Sequence, residues 1–496
     1  MKRVTILLLV VVMLMSFAAC AGSDSESQAP GSSAPPSQGQ ASSDSGGSNN
    51  NSGNSGSDTS ADNGGGEEEP TPAQPRDLGG IEILVSDWWT NNLAEKAPPS
   101  NLREEQQEDY WNEIFEENSF TWKRRSIAGW GDYVETFTTS VMAGEPAADI
   151  FIMGDGWAKQ LMAQGLLYPL NTLDSFNENS PKWNPIMKDA MTVNGNTYAV
   201  THEKYVEPKN FLFFNKRLFA DAGIDPNEIY ALQESGDWTW AKFEEYCEKL
   251  TRDTDGDGIN DTFGFTGFEV EVCSGFIFSN NAQYIGVNSD GTYYNAMNEP
   301  NFIEAIQFAR SIWEKGYWTD GPEDSSWDWF VTGFRGAYAA MIIREAYSTG
   351  EWNKMDDEWG MVYPPKGPKA TDYNTYFGEN VYCLPFNISK EKAEDLMYAY
   401  NLYTEPLPYD ADNPDFWKDG AYGYQRFRDA RAVDYTMSMF YNGLASLNNR
   451  AYVPGIDWGP TFDWGSIFGA ETVIEKIEAA KPVVDAAISE ANAAFG

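Results

Sequence analysis

The run Asp253-Thr254-Asp255-Gly256-Asp257-Gly258-Ile259-Asn260-Asp261 has the spacing of the first half of a calcium loop. Acids stand at positions one, three, five and nine, glycine stands at six, and Ile259 supplies the backbone carbonyl at seven. Position twelve is Gly264, where the loop motif has a bidentate glutamate, so full EF-hand geometry is not expected. Four carboxylates this close repel one another unless a cation or solvent relieves them. The expectation is a structural calcium ion on Asp253, Asp255, Asp257, Ile259 and Asp261. A polar turn capping the preceding helix is the competing reading.

A second chemistry lies where tryptophans stand beside acids. Asp87-Trp88-Trp89 follows one apolar run, and Asp155-Gly156-Trp157 follows another. A sugar presents a C–H face that an aromatic ring covers, and a rim of hydroxyls that carboxylates and amides take in directed hydrogen bonds. Any one of these tryptophans could equally belong to the core. Two acid–tryptophan clusters at strand exits favour ligand binding, because open α/β sheets place their ligands there. Trp327 and Trp329, two apart, share one face of a strand or flank a loop. Arg344-Glu345 follows the apolar run Ala339–Ile343 and reads as a ligand contact or a surface ion pair. Trp458, in a Gly/Asp-rich stretch, completes this set.

Composition narrows the field. A formal charge of −41 makes nucleic acid an unlikely partner, since phosphates would be repelled. The only histidine, His202, removes multi-histidine metal sites and most imidazole catalysis. No organic cofactor motif stands out. Cys247, Cys273 and Cys383 form no Cys-x-x-Cys pair, which leaves one disulfide with a spare thiol, or three thiols.

The elements that must position these residues begin after two other segments. Lys2 and Arg3 precede the apolar run Val4–Phe17 and the small pair Ala18-Ala19, the pattern of a secretory signal over 1–19. Cys20, directly after, resembles the lipidated cysteine of the bacterial lipobox, with Phe17 departing from the usual aliphatic residue. Residues 21–77 hold no Leu, Ile, Val, Phe, Tyr or Trp, so 20–78 reads as a disordered tether reaching roughly 40 Å on average.

From residue 79 onward the pattern is layered α/β. Ile81–Val85, Asp149–Met153 and Phe211–Phe214 read as buried strands. Val193–Tyr198 carries Asn-Gly between strand residues, a hairpin signal. Helices are expected from Trp157 to Gly165, over Trp240–Leu250 with Thr239 as N-cap, from Pro300 to Gly316, and across Val473–Ile488 through Pro482.

Several of these pieces carry a resemblance. Asp149–Trp157 with Gln164–Leu170, Gly195–Val200, Phe211–Gly223, Trp238–Trp240, Ala339–Ile343 and Trp359–Pro365 appear in an order that resembles the extracellular solute-binding proteins of carbohydrate ABC importers, the family of maltose-binding proteins. Thr201 replaces a proline usual in that pattern. The resemblance implies two α/β lobes of the type II periplasmic-binding-protein kind, with ligand in the cleft between them. It implies lobe one from 79–205 and 380–430, and lobe two from 206–379 and 431–496. It implies sugar-binding carboxylates at the crossings, Glu203 and Glu379, although His202, Lys204 and Glu207 near the first read equally as a charged strip. The implied protein is a monomeric, lipid-anchored receptor on the outer face of the cell membrane that hands a mono- or oligosaccharide to ABC permease subunits and catalyses nothing. A secreted glycoside hydrolase and a surface receptor or adhesin are the alternatives.

Overall fold

The computed structural model describes residues 75–495, apart from 95–97, 100, 203–205, 323–324, 327, 408–409, 411–412, 414, 421, 463–467 and 470. The signal segment, Cys20, nearly all of the tether, Glu203 and Trp327 therefore lie outside the described residues.

Alternating burial builds the first strands. In β1 (Ile81–Asp87), Ile83 and Val85 point into one apolar cluster while Leu84 packs against another. The same division recurs in β3 (Ile150–Gly154), where Ile150 and Ile152 face one side and Phe151 and Met153 the other. Strands apolar on both faces belong in the middle of a sheet covered by helices. β1 pairs in parallel with β3 and with β2 (Phe120–Ser126). A hairpin follows, β4 (Thr192–Val193) to β5 (Asn196–Thr197), turning on Asn194 and Gly195, both at positive φ as a type I′ turn requires. β6 (Ala199–Val200) then joins the edge of the first sheet.

The chain crosses through β7 (Glu207–Pro208) into β8 (Asn210–Asn215), whose six residues are all buried. β9 (Phe263–Gly267) follows, then the hairpin β10 (Ile285–Val287) to β11 (Tyr293–Asn295), then β12 (Ala339–Glu345) and β13 (Trp359–Val362). β14 (Tyr376–Gly378) leads back to β15 (Asn380–Cys383), and β16 (Ser446–Leu447) comes last. The two large sheets run β2-β1-β3-β15-β6 and β13-β8-β12-β9, with β16-β14-β7 as a small third sheet where the chain crosses.

The helices largely follow the sequence pattern, with instructive departures. Trp240–Leu250 buries Trp240, Phe243, Tyr246, Cys247 and Leu250, as the spacing predicts. Thr239 sits at its N-cap without a side-chain capping bond; Trp240 N–H is tied instead to the Lys366 carbonyl at 3.1 Å. The first-lobe helix begins at Asp155, two residues before Trp157. Pro300–Glu314 starts on its proline, and Val473–Phe495 runs through Pro482 without a break. Trp329 opens the helix Trp329–Arg335, so the shared strand face does not form. Cys247, Cys273 and Cys383 are buried free thiols, which resolves the cysteine question in favour of packing.

One buried charge ties the returning chain to the second sheet. Asp429 takes Lys216 Nζ at 2.7 Å and Arg431 at 2.9 Å, and Arg431 lies over the Tyr230 ring. Burial works against its ionisation, but Arg431 and Lys216 outweigh it and hold the carboxyl down to about 2. The unfolded value is near ~3.9. An acid whose pKa is lowered by folding adds stability above its unfolded value and loses it as pH falls toward the folded one. Asp429→Asn should therefore lower Tm by several degrees at pH 7, and the gap from the parent should narrow steadily between about pH 4 and pH 2. A gap that does not change with pH would assign the loss to packing alone.

Candidate functional site

Strand ends determine where chemistry can gather. β1 and β3 run parallel and end toward the same edge, β1 at Asp87 and β3 about two residues further on at Gly154. β15 runs antiparallel to β3, and Asn380 opposite Gly154 places Glu379 beside Asp155, whose N–H donates to the Glu379 carbonyl at 3.1 Å. In the second sheet Glu345 at the end of β12 pairs with Asn210 at the start of β8, and Ile343 pairs with Gly267 at the end of β9. The crossing strands β7 and β14 pair Gly378 with Glu207 and Phe377 with Pro208. The active edges of both sheets thus meet at the crossing.

On the first-lobe side stands an aromatic patch. Trp88 meets Trp157 at 4.8 Å, Trp130 at 5.4 Å, Tyr133 at 5.5 Å and Trp89 at 4.6 Å between ring centroids, each edge to face. Trp130 reaches Trp157 at 4.3 Å. Tyr133 is the buried base, its hydroxyl donating to the Ser86 carbonyl at 2.7 Å. Trp88 and Trp157 are half-buried, so they present apolar ring surface that the core does not consume. Asp87 supports this patch from beneath. It is fully buried and accepts from Trp89 N–H, Thr90 N–H, the Thr90 hydroxyl and Arg124 Nε, at 2.5–3.0 Å. Its acceptor positions are spent on shaping the loop, so its part in the site is to orient Trp88 and Trp89.

Next to the patch lies a charged network. Asp155 accepts from the Tyr452 hydroxyl at 2.9 Å and from Gly156 N–H at 2.9 Å. Burial pushes its carboxyl up, against those two donors and Lys209. Lys209 donates to Glu207 at 2.9 Å and stands 4.0 Å from Glu345. Burial opposes its charge, but Glu345, Glu207 and Glu379 outweigh burial and keep it protonated. Glu379 receives Glu207 N–H at 2.9 Å and Asn380 N–H at 2.7 Å. Arg344 pairs with Glu271 on the helix after β9 and also reaches Ser348 and Tyr347. Arg344-Glu345 is therefore no surface pair: its two members face different partners inside the network.

Gly156 marks how closely the parts approach. A Cβ there would stand 2.9 Å from the Ala451 carbonyl oxygen and 3.1 Å from its Cβ. Only glycine lets the turn Asn449–Tyr452 dock on the start of the helix Asp155–Ala163, and that docking delivers Tyr452 to Asp155.

The remaining sequence candidates separate. Glu203 and Trp327 lie outside the described residues. Trp329 packs on Gly321 and Gly333, where its ring fills the space a Cβ would take. Trp458 is half-buried against Tyr284 at 5.6 Å, with Arg450 over both rings. Carboxylate oxygens of Asp253, Asp255 and Asp261 lie within 4.8 Å of one another, exposed, while Asp257 falls outside that group. Asp253 accepts Gly256 and Gly258 N–H and Asp261 accepts Thr254, which lowers both carboxyls. Ile259 is exposed and its N–H is held by Asp257. Sequence reasoning missed Lys209, Glu271, Tyr452 and Trp130. Only Trp130 left a local trace, as a tryptophan between two glycines.

Comparison with known proteins places this geometry. The model of the bacterial extracellular solute-binding protein family matches residues 110–406. No curated protein sequence matches the chain. Among solved structures, the ABC substrate-binding protein Lmo0181 from Listeria monocytogenes, in complex with cycloalternan, is similar at 17% identity and TM-score 0.52, covering 84% of this chain and 98% of its own. A cyclic alpha-maltosyl-1,6-maltose binding protein from Arthrobacter globiformis is similar at 17% identity and TM-score 0.57, with 83% and 99% covered. Maltose-bound MalE3 of T. maritima is similar at 15% identity and TM-score 0.56, with 82% and 100% covered. Likeness at these identities speaks for the fold, two α/β lobes with a cleft between them. Because the family model spans more than half of its length, the chain belongs to the bacterial extracellular solute-binding protein family.

Proposed function

We propose that this protein is a lipid-anchored extracellular receptor that captures a sugar or oligosaccharide by lobe closure and delivers it to an ABC permease, without chemistry of its own. One observation carries the reading. The turn Asp155-Gly156-Trp157 feeds an aromatic patch with one residue and a carboxylate network with another, which is the pairing of ring face and hydroxyl acceptor that a sugar needs. The ligands named for the similar structures, cycloalternan and maltose among them, support the same class. Binding would favour the closed form through contacts made to both lobes at once. Among the described residues no helix is long and apolar enough to cross a membrane. Membrane attachment in this proposal is by Cys20, on the strength of the lipobox-like pattern around it.

A thermal-shift screen across mono- and oligosaccharides tests the class, since a ligand that binds only the folded state raises Tm. With a binding sugar in hand, Trp88→Ala or Trp157→Ala should each cost roughly 2 kcal/mol of affinity. Asp155→Asn should cost a comparable amount, about 1–3 kcal/mol, by leaving sugar hydroxyls poorly paired. Full affinity in all three folded variants would remove the site from this cleft.

The anchor and the acidic loop are part of the same proposal. Cys20→Ala should shift the protein from the membrane fraction to the soluble one or leave it unprocessed; unchanged membrane retention defeats the lipidation reading. Calcium in the Asp253–Asp261 loop would be structural, so a chelator should lower Tm with sugar affinity largely kept. Asp255→Ala with Asp257→Ala should abolish that sensitivity, and a parent protein indifferent to chelator rules the ion out.

A further inference from the structure

Single apolar side chains in water are ordinary, but a contiguous exposed aromatic patch marks an interaction surface. Trp89 is 48% exposed and Trp130 is 64% exposed, and both touch Trp88. The four tryptophans form a graded series, half-buried at Trp88 and Trp157 and open at Trp130 and Trp89. Trp130 stands between Gly129 and Gly131, and a Cβ added at either glycine would meet nothing within 4 Å. No packing therefore demands those glycines, and what they supply is backbone freedom on either side of the ring. Trp89 is held more firmly, with the Arg124 guanidinium 4.9 Å from its ring and bonded to Asp87. Polar groups edge the patch: Thr90 is bonded to Asp87, Asn92 to Ser126, and Asp132 closes the Trp130 turn through its N–H to the Gly129 carbonyl. Rings bordered by amides, hydroxyls and a carboxylate suit an amphiphilic, flat-faced ligand better than a lipid chain.

We infer that Trp130 and Trp89 form an outer subsite that stacks on sugar residues projecting from the cleft, so that the ligand is an oligosaccharide longer than a disaccharide. The inference rests on the sugar-binding reading above and extends it to chain length. The occupant follows from continuity: Trp130 lies 4.3 Å from Trp157, so a chain seated on Trp157 and Trp88 runs onto it without a gap. Trp130, the more exposed of the two rings, would cover the outer sugar.

The test is a cycle of chain length against substitution. Affinities of the full protein are measured by calorimetry for maltose through maltopentaose and for mannobiose through mannopentaose, on the parent, Trp130→Ala, Trp130→Phe and Trp89→Ala. In whichever series binds, the parent should gain affinity beyond the disaccharide. Trp130→Ala should lose on the order of tenfold for the tetramer and less than about twofold for the dimer. Trp130→Phe should restore part of that loss, and Tm should hold in all variants because the replaced rings are exposed. Equal losses for short and long chains, or none, overturn the outer subsite while leaving the sugar reading in place. Unchanged sugar affinities with reduced uptake by cells would assign the patch to permease docking, which also overturns it. Parent protein that binds no member of either series and no sugar in the thermal-shift screen refutes the sugar reading itself, and the subsite with it.

Discussion

The half-buried ammonium of Lys209, set among carboxylates, is the interaction on which the architecture turns. β7 and β14 carry the chain between the two sheets, and their pairing brings acids from both sheet edges into one small volume. Glu207 and Glu379 arrive with the crossing strands, Glu345 with β12, and Asp155 with the helix after β3. Carboxylates so crowded, with little water between them, would repel strongly. Lys209 is held charged among them, and backbone N–H groups and the Tyr452 hydroxyl take much of the remaining acceptor capacity. On the far side Arg344 pairs with Glu271, yet burial outweighs that pairing and pushes the Glu271 carboxyl up to about 8. The crossing is thus a polar core, satisfied largely from within, at the place where a two-lobed protein has least apolar surface to spend.

The aromatic patch follows from that arrangement. Asp155 is fixed by Tyr452, which fixes the start of the helix and hence the direction of Trp157. Asp87 fixes the loop that carries Trp88 and Trp89 through four hydrogen bonds. Rigid carboxylates position mobile-looking rings, and the rings keep ordinary edge-to-face geometry. An acid beside a tryptophan in this sequence therefore serves two different ends. Asp155 accepts from Tyr452 and Gly156 within the crossing network, whereas Asp87 spends its four hydrogen bonds on shaping the Trp88–Trp89 loop.

The strands were legible because they are short apolar runs, Ile81–Val85, Ile150–Met153 and Phe211–Phe214, and burial on both faces leaves such runs little choice of structure. The helices over Trp240–Leu250 and Pro300–Glu314 were legible from spacing and from punctuation by proline and glycine. The site was legible only in part. Trp88, Trp89, Asp155 and Trp157 announce themselves at strand exits, but Asp155 and its partner Tyr452 are 297 residues apart, and no local pattern joins them. Lys209 and Glu271 carry no local signal, since burial of a charge depends on what packs over it. Spacing left Trp329 open between a strand face and a loop flank, because two tryptophans two apart fit either, and the structure places it at a helix start.

The contact at Gly156 has a consequence for how affinity is set. In a protein that binds by closing, the observed dissociation constant is the intrinsic one divided by the fraction of molecules able to close. A methyl group at position 156 would press on the Ala451 carbonyl oxygen, 2.9 Å away, and disturb the docking that brings Tyr452 to Asp155. In the receptor proposed above it would act as a wedge, withdrawing molecules from the competent population in the way a competing ligand would. Affinity would then be adjustable from the packing of a helix start on a distant turn, through a residue that has no side chain of its own to offer a ligand.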